Sequence, residues 1–227
     1  MVKRAGLFGG TFNPIHLGHL RAAEEVKSGF GLDCIYFIPA SLPPHKDTAG
    51  LADAADRKEM IDRAIASNSG FAVSDVEIRR QGRSYTIDTI AAFQESQAAE
   101  KTVYYLIIGM DQFFEIDTWK SYDALFENIS FIVMTRPSES SIDPLKRFDA
   151  VAEYARRHVD KAYHPQPENL CLVHERKQPI WMFEVTPLAI SSSKIRELVR
   201  KQQSITYLVT DVVEAYILAK DLYKYDT

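Results

Sequence analysis

Residues 6–26 read GLFGGTFNPIHLGHLRAAEEV, with a short apolar run, two glycines, a proline and then two histidines three residues apart. Residues 2–8 have the composition of a strand, and residues 17–28 carry apolar side chains at helical spacing. The stretch therefore predicts a β-strand that turns sharply into an α-helix. A glycine-rich turn of this kind can cradle a phosphate, bind a metal or serve only as a structural bend.

Short apolar runs alternate with helical patterns along most of the chain. Strands are predicted at 34–39, 71–80, 102–109, 131–136, 170–175 and 180–185. Helices are predicted from 53 or 56 to 67 and at 85–95, 143–162, 192–202 and 208–222. This alternation predicts an α/β fold with a Rossmann-like, doubly wound parallel sheet. We expect a single domain over residues 1–227, with a core of about 1–190 and a helical C-terminal part of about 191–227.

The composition excludes several classes of protein. The 27 basic and 31 acidic side chains give a net charge of −4, which offers no general attraction for nucleic acid or an anionic membrane. The apolar runs are shorter than the roughly 18 residues that a membrane helix needs, so we expect neither a membrane span nor a secretion signal. Cys34 and Cys171 both lie in apolar runs, and we expect them to be reduced thiols in a cytoplasmic protein.

The turn and helix start at 9–19 have the features of an anion site. Ligands of open α/β sheets bind beyond the carboxyl ends of the strands, where helix N-termini favour negative charge. His16 and His19 can donate hydrogen bonds to a phosphate chain there. The spacing matches neither a P-loop nor the G-x-G-x-x-G fingerprint, and no third ligand beside the histidines supports zinc. A structural bend with capping histidines is the alternative.

A second helix start, SSSKIR at 191–196, could hold the same anion. A purely structural interpretation is an N-cap followed by a cationic first turn. Lys194 and Arg196 oppose the helix dipole, however, so both side chains would be more stable beside an anion. Two such helix starts, one near each end of the chain, favour a single polyphosphate held between them.

GGTFNPIHLGH and AISSSKIR, which ends at Arg196, resemble the two phosphate motifs of the nucleotidyltransferase superfamily that carries a (T/H)xGH signature. Four further segments resemble the bacterial nicotinate-nucleotide adenylyltransferase family in the expected order: PPHK at 43–46, RSYTIDT at 83–89, GMDQFFEIDTW at 109–119 and TRP at 135–137. The resemblance covers nearly the whole chain. It implies transfer of an adenylyl group from ATP to nicotinate mononucleotide, with release of pyrophosphate, in NAD biosynthesis.

The resemblance implies a role for each matching residue. ATP would contact Gly9, Gly10, Thr11, Phe12, His16, His19, Gly109, Asp111, Ser192, Ser193, Ile195 and Arg196. The catalytic side chains, which neutralise charge on the phosphates, would be His16, His19, Lys194 and Arg196. The mononucleotide would contact His45, Lys46, Tyr85, Thr86, Asp111, Trp119 and Arg136, with Trp119 stacked on the pyridine. Mg²⁺ held mainly through the ATP phosphates is the implied cofactor, and no residue is assigned as its direct ligand.

Each assigned residue also has a plain structural interpretation. Trp119 could be a core aromatic, and Asp111 could cap a helix. Residues 85–86 could simply begin a helix, while residues 45–46 and 136 could be exposed loop charges. The joint order of the motifs, rather than any one residue, favours the functional interpretation.

Other functions stay open at this point. A related adenylyltransferase could act on nicotinamide mononucleotide or on phosphopantetheine, although the chain length and SYTIDT disfavour the pantetheine enzyme. A nonenzymatic nucleotide-binding module could retain the same fold. A relation to class I aminoacyl-tRNA synthetases ranks lowest, because the chain lacks a KMSKS-like run and a basic RNA-binding excess. The sequence also leaves a homo-oligomer open.

Overall fold

A computed structural model describes residues 2–42, 50–80, 82–96, 101–135 and 143–224. Its strands are β1 (Lys3–Gly10), β2 (Cys34–Pro39), β3 (Phe71–Val73), β4 (Thr102–Gly109), β5 (Ser130–Thr135), β6 (His164–Gln166), β7 (Cys171–Val173) and β8 (Ile180–Glu184). They form one sheet in the order β3-β2-β1-β4-β5-β8-β7-β6. All neighbouring pairs from β3 to β8 are parallel, and β7 and β6 extend the β8 edge with antiparallel pairing.

Helices connect most of the strands. They are α1 (Leu17–Phe30), α2 (Ala54–Ile65), α3 (Val76–Arg80), α4 (Thr86–Ser96), α5 (Met110–Phe113), α6 (Tyr122–Asn128), α7 (Pro144–Tyr154), α8 (Ser192–Arg200) and α9 (Asp211–Ala219). Short 3-10 turns occupy Ile116–Thr118 and Pro167–Asn169, and a wide π turn occupies Ala155–Val159.

Alternate residues of the central strands face two separate apolar cores. In β4, Leu106 and Ile108 lie in the core that also contains side chains of α4, α5, α6 and α7. Ile107 lies in the other core, with side chains of α1, α2, α8 and α9. Because both faces of β4 and β5 are covered, the two strands read as nearly continuous apolar runs. The doubly wound α/β architecture predicted from the sequence is confirmed.

The direction of chain progression reverses between β1 and β4. From β1 the chain passes to β2 and β3 on one side, and from β4 it passes to β5 on the other. The connections that follow β1 and β4 therefore diverge and leave a crevice at the carboxyl edge of the sheet. The two glycines of the opening turn end β1, and Gly109 ends β4, so both border this crevice.

Two predicted elements are wrong in part. Of the strand predicted at 71–80, only β3 forms, because its last ladder bond runs from the Ser74 N–H to the Phe37 carbonyl and the chain then enters α3. The helix predicted at 143–162 is α-helical only to Tyr154, and the π turn that follows stops at Asp160, whose backbone is extended.

The two cysteines are free thiols, as predicted. Cys171 is fully buried, and this burial raises the pKa of its thiol to about 11. Within the described ranges, the structure contains no helix with the length and apolar character needed to cross a bilayer.

The C-terminal helices belong to the second core. Ile217 of α9 is fully buried in the cluster that contains Met60 and Ile61 of α2. The Tyr216 hydroxyl also donates a hydrogen bond of 2.7 Å to the Asp56 carboxylate. Since this packing is continuous with the sheet, we expect the C-terminal part to unfold together with the rest of the chain.

Replacing Ile217 by alanine tests that expectation. Ile217→Ala should lower the free energy of unfolding by about 3 kcal/mol, measured by urea denaturation, because it leaves a cavity in a closed core. Leu218→Ala is the matched control, since Leu218 is 56% exposed and its loss should change stability by less than about 0.5 kcal/mol. A separate early transition of the C-terminal part, with the main transition unchanged, would contradict the single cooperative unit.

Candidate active site

The crevice is divided into two connected compartments. The histidine compartment, about 430 Å³, lies between the start of α1 and the start of α8. The tryptophan compartment, about 310 Å³, lies beside α4 and the segment that follows β4. Gly9, Gly10, Thr11, Asp111 and Gln112 line both, so an extended ligand can cross from one to the other over the ends of β1 and β4.

The histidine compartment collects almost all the residues that the sequence assigned to ATP. Those that line it are Gly9, Gly10, Thr11, Phe12, His16, His19, Gly109, Asp111, Ser192, Ser193 and Arg196. They come from the ends of β1 and β4 and from the N-termini of α1 and α8. The two motifs that lie near opposite ends of the sequence therefore form opposite walls of one cavity.

The two histidines of the turn hold each other in place. His16 is the N-cap of α1 and is almost fully buried, and its backbone N–H donates to Nδ1 of His19 at 3.3 Å. The two rings stack with centroids 3.6 Å apart. Because Nδ1 of His19 accepts this bond, a neutral His19 ring carries its proton on Nε2 and can act as a donor there. Gly18 leaves room for the His16 ring, since a Cβ at that position would lie in tight contact, 3.1 Å from the ring.

The second motif is joined directly to the turn. The Ser192 hydroxyl donates to the Pro14 carbonyl at 2.8 Å, and Nη1 of Arg196 donates to the Asn13 carbonyl at 2.8 Å. Ser191 caps α8 by accepting from the Lys194 N–H at 3.2 Å. The first amides of a helix have no partner within the helix and carry partial positive charge. The α8 N-terminus therefore presents positive potential to the histidines.

Arg196 adds a full charge to that potential. Its guanidinium is half-buried, and this burial lowers its pKa from the usual value. An arginine begins from a value so high that it stays protonated at neutral pH. Among the described residues, its hydrogen bonds go to the Asn13 carbonyl and the Ser193 hydroxyl, which are neutral groups, so the cavity wall is cationic at Arg196.

Two residues of the second motif do not line the compartment. The Lys194 amine pairs with Glu197 at 3.1 Å, and its side chain is 57% exposed. Ile195 is fully buried in the core beneath α8, and its N–H bonds to the Ser191 carbonyl at 3.1 Å. A contact of either residue with phosphate stays a prediction.

The tryptophan compartment contains Tyr85, Thr86, Trp119 and Asp111, all four of which the sequence assigned to the acceptor. Its floor is apolar and includes Ile108 of β4. Trp119 is half-buried and packs partly against the first core, so it is a core aromatic on one side and a cavity wall on the other. Thr86 begins α4, which directs another helix N-terminus toward this compartment.

The remaining residues assigned to the acceptor, His45, Lys46 and Arg136, lie outside the described residues. The described residues on either side of 43–49 are tied to the site. The Ser41 N–H donates to the Ser84 hydroxyl at 2.8 Å, beside the tryptophan compartment.

Arg57 is a structural residue of the site that the motifs do not single out. It is fully buried, and its guanidinium donates to the carbonyl oxygens of Thr11 at 2.9 Å, Ala52 at 2.9 Å and Ser41 at 3.1 Å. Since Thr11 lines both compartments, Arg57 fixes the turn that they share. The sequence feature that could have indicated its burial is its position on the apolar face of α2, four residues before the buried Ile61.

Asn13 holds the same turn from the other side. Its Oδ1 accepts from the Ala52 N–H at 3.1 Å and from the Tyr223 hydroxyl at 2.8 Å, and its Nδ2 donates to the Gly50 carbonyl at 2.9 Å. Burial raises the pKa of Tyr223, so its hydroxyl remains a donor at any physiological pH. The C-terminal segment is thereby connected to the floor of the histidine compartment.

The fold and this site define a nucleotide-binding α/β protein. The crevice lies at the switch point of a parallel sheet, where such proteins bind nucleotides. Two helix N-termini and an arginine surround one half of it, which suits phosphate, and aromatic side chains surround the other half, which suits a flat ring.

Known relatives narrow this class. The cytidylyltransferase-like family model matches residues 7–198. A probable nicotinate-nucleotide adenylyltransferase of Trichlorobacter lovleyi is 41% identical over 221 residues, which cover 97% of this chain and 99% of that relative. A protein with the same description from Geobacter sulfurreducens is 39% identical, with 98% and 99% covered. Nicotinic acid mononucleotide adenylyltransferase of Plasmodium falciparum, complexed with NaAD, has a TM-score of 0.72 at 18% identity, with 99% of this chain and 98% of that chain covered.

The chain belongs to the cytidylyltransferase-like family of nucleotidyltransferases and, with its full-length relatives, to the nicotinate-nucleotide adenylyltransferases. The family resemblance of the motifs is thereby confirmed. The likeness to the solved structure concerns the fold, and it agrees with the α/β architecture.

Removal of the Arg57 guanidinium should loosen the shared turn. Arg57→Met should lower the free energy of unfolding by about 3 kcal/mol in urea denaturation, because three backbone carbonyls lose a charged donor in a buried place. Arg79→Met is the control, since the Arg79 side chain is 75% exposed and pairs only with Asp75 among the described ion pairs. Wild-type stability of Arg57→Met would show that the turn is held by other contacts.

Proposed function

We propose that this protein transfers the adenylyl group of ATP to nicotinate mononucleotide, giving nicotinate adenine dinucleotide and pyrophosphate in NAD biosynthesis. The observation that carries the proposal is the pair of compartments that meet at Gly9, Gly10, Thr11 and Asp111. One offers donors for a triphosphate, and the other offers aromatic walls for a pyridine. The descriptions of the full-length relatives, and of the P. falciparum structures complexed with NaAD and with APC, support the same reaction.

ATP binds in the histidine compartment in this proposal. His16, His19, Arg196 and the first amides of α8, at Ser192 and Ser193, bind the phosphates. The backbone from residue 9 to residue 12 lies along the nucleotide, and Gly109 and Asp111 contact the ribose, whose hydroxyls can donate to the carboxylate. Lys194 can join the phosphates only by leaving Glu197. Ile195 contributes by anchoring α8 in the core.

Nicotinate mononucleotide binds in the tryptophan compartment. Its pyridine stacks on Trp119, and amides near Tyr85 and Thr86 receive its carboxylate at the start of α4. His45, Lys46 and Arg136 are retained from the motifs as contacts to the mononucleotide and its phosphate. This places the acceptor phosphate toward Asp111, where the two compartments join.

The reaction follows from that placement. A phosphate oxygen of the mononucleotide attacks the α-phosphorus of ATP in line, and the bond to the bridging oxygen of the β-phosphate breaks as pyrophosphate leaves. No nucleophilic side chain is required, because positioning and charge neutralisation can supply the catalysis. The Nε2–H of His19 and the guanidinium of Arg196 stabilise the negative charge on the bridging and leaving oxygens.

Mg²⁺ fits this arrangement as an ion that arrives with the nucleotide. Among the residues that the structure describes, no group of three His, Cys, Asp or Glu side chains could hold a metal ion. Mg²⁺ commonly keeps several waters and binds through substrate phosphates, and the donors of the histidine compartment would hold those phosphates. The ion would supply further neutralisation of charge on the leaving group.

We also propose that residues 1–227 act as one nucleotidyltransferase domain. The contacts of Arg196 and Tyr223 with Asn13 support this, because they make the C-terminal part a component of the site.

The acceptor is tested by pyrophosphate release. Purified protein, ATP and Mg²⁺ are mixed with nicotinate mononucleotide, nicotinamide mononucleotide or phosphopantetheine in parallel, and the initial rates are compared. We expect the highest kcat/KM with nicotinate mononucleotide. A preference for phosphopantetheine would overturn the assignment, and ATP binding without pyrophosphate release with any acceptor would favour a nonenzymatic module.

Loss of a phosphate donor should act on turnover. His19→Ala should lower kcat by about 100-fold at saturating substrates, because an oriented donor to the developing charge is lost. His164→Ala serves as the control, since His164 is exposed on β6, at the opposite edge of the sheet from β3 and away from both compartments. Wild-type turnover of both His16→Ala and His19→Ala would refute the role given to the histidines.

A further inference from the structure

The tryptophan compartment has more acidic than basic residues in its described lining, which is unexpected for a site that binds an anion. Three acidic residues are among its described lining residues: Glu77, Asp111 and Glu115. Lys120 is the one cation among them. A nicotinate ring carries a carboxylate, whereas nicotinamide carries a neutral amide, so these charges act on the two acceptors differently.

Lys120 is held at the side of the compartment that the pyridine would occupy. Its ammonium lies 4.6 Å from the centre of the Tyr85 ring, and it is 3.1 Å from Oδ2 and 3.3 Å from Oδ1 of Asp88. Lys120 directly follows Trp119, and Asp88 lies in the first turn of α4, two residues after Thr86. The ammonium therefore lies over the ring of Tyr85, a residue assigned to the pyridine, and Lys120 and Trp119 both line the compartment.

The Lys120 side chain can respond to a ligand. It is 48% exposed, and a lysine amine on a flexible four-carbon stem can change partners without disturbing the backbone. Glu77, by contrast, is buried and accepts a hydrogen bond of 2.7 Å from Thr89, so its position is fixed. Of the charges in this wall, Lys120 can therefore move toward an incoming carboxylate.

We propose that Lys120 is a specificity-determining residue that makes the compartment prefer the acid over the amide form of the mononucleotide. This inference rests on the proposed function. The ammonium attracts the nicotinate carboxylate and offsets the acidic wall, while it gains nothing from a neutral amide. Asp88 competes for the same ammonium, so the Lys120–Asp88 pair sets how strong the preference is.

The two members of the pair give opposite predictions. For Lys120→Met, the ratio of kcat/KM with nicotinate mononucleotide to kcat/KM with nicotinamide mononucleotide should fall about fivefold, the size of a half-exposed ion pair. Lys120→Arg should keep the wild-type ratio. Asp88→Asn should raise the ratio, because it removes the competing charge. If turnover of the amide is too slow to measure, calorimetric dissociation constants of the two mononucleotides give the same comparison.

Ionic strength provides a second readout, and Lys58→Met provides the matched control. Lys58 also forms an ion pair, with Asp62, but on α2 and outside both compartments. The wild-type ratio should fall as salt rises, while that of Lys120→Met should change little. An unchanged ratio of the two kcat/KM values in Lys120→Met, with or without an equal loss for both acceptors, would overturn the inference. The proposed function would still stand in that case if the wild-type protein turns over nicotinate mononucleotide. Absence of that wild-type turnover would overturn both.

Discussion

The turn at residues 11–14 places three backbone carbonyls, those of Thr11, Asn13 and Pro14, in part-buried positions where each needs a donor. Arg57 donates to the carbonyl of Thr11, Arg196 to that of Asn13, and Ser192 to that of Pro14. A buried carbonyl without a partner costs roughly 1–3 kcal/mol, so this requirement links the first turn of the sheet to α2 and to α8. The histidines can form a cavity wall because the backbone in front of them is fixed in this way.

The same contacts determine the electrostatics of the histidine compartment. Arg196 donates to a carbonyl and to a serine hydroxyl, neither of which neutralises its charge. Lys194, two residues earlier, is paired with a carboxylate and contributes far less potential to the cavity. A cation bound to dipoles, next to a helix N-terminus, is well placed to hold phosphate. The distinction between the two cations comes from their partners rather than from their spacing in the motif.

Much of the fold could be predicted because the buried strands of the sheet are nearly continuous apolar runs in the sequence. Residues 102–109 and 34–39 form strands with the predicted limits. The strand predicted at 71–80 was wrong after residue 73, because its alternation is equally compatible with a short helix and tertiary pairing ends at Ser74. Residues 122–128 were not predicted as an element, and they form α6 against the first core.

The sequence predicted the residues of the candidate site that belong to recognisable motifs, and it did not predict the others. Spacing alone left Trp119 and Asp111 with structural interpretations. These two residues line the same compartment as Tyr85 because of the order of the strands in the sheet, and the order of motifs along the chain does not give that strand order directly. Arg57 could not be found in this way, because its partner Thr11 lies 46 residues earlier and the bond involves only that residue's backbone. Lys120 was missed for a similar reason, because its proposed role depends on acidic side chains from other parts of the chain that line the same compartment.

In the proposed reaction, one dinucleotide spans both compartments across the ends of β1 and β4. A crystal structure of the protein with nicotinate adenine dinucleotide would test this placement. We expect the pyridine against Trp119, the adenylyl phosphate beside His19 and Arg196, and the adenosine ribose at Asp111. A dinucleotide bound in the reverse direction, or with its pyridine outside the tryptophan compartment, would contradict it.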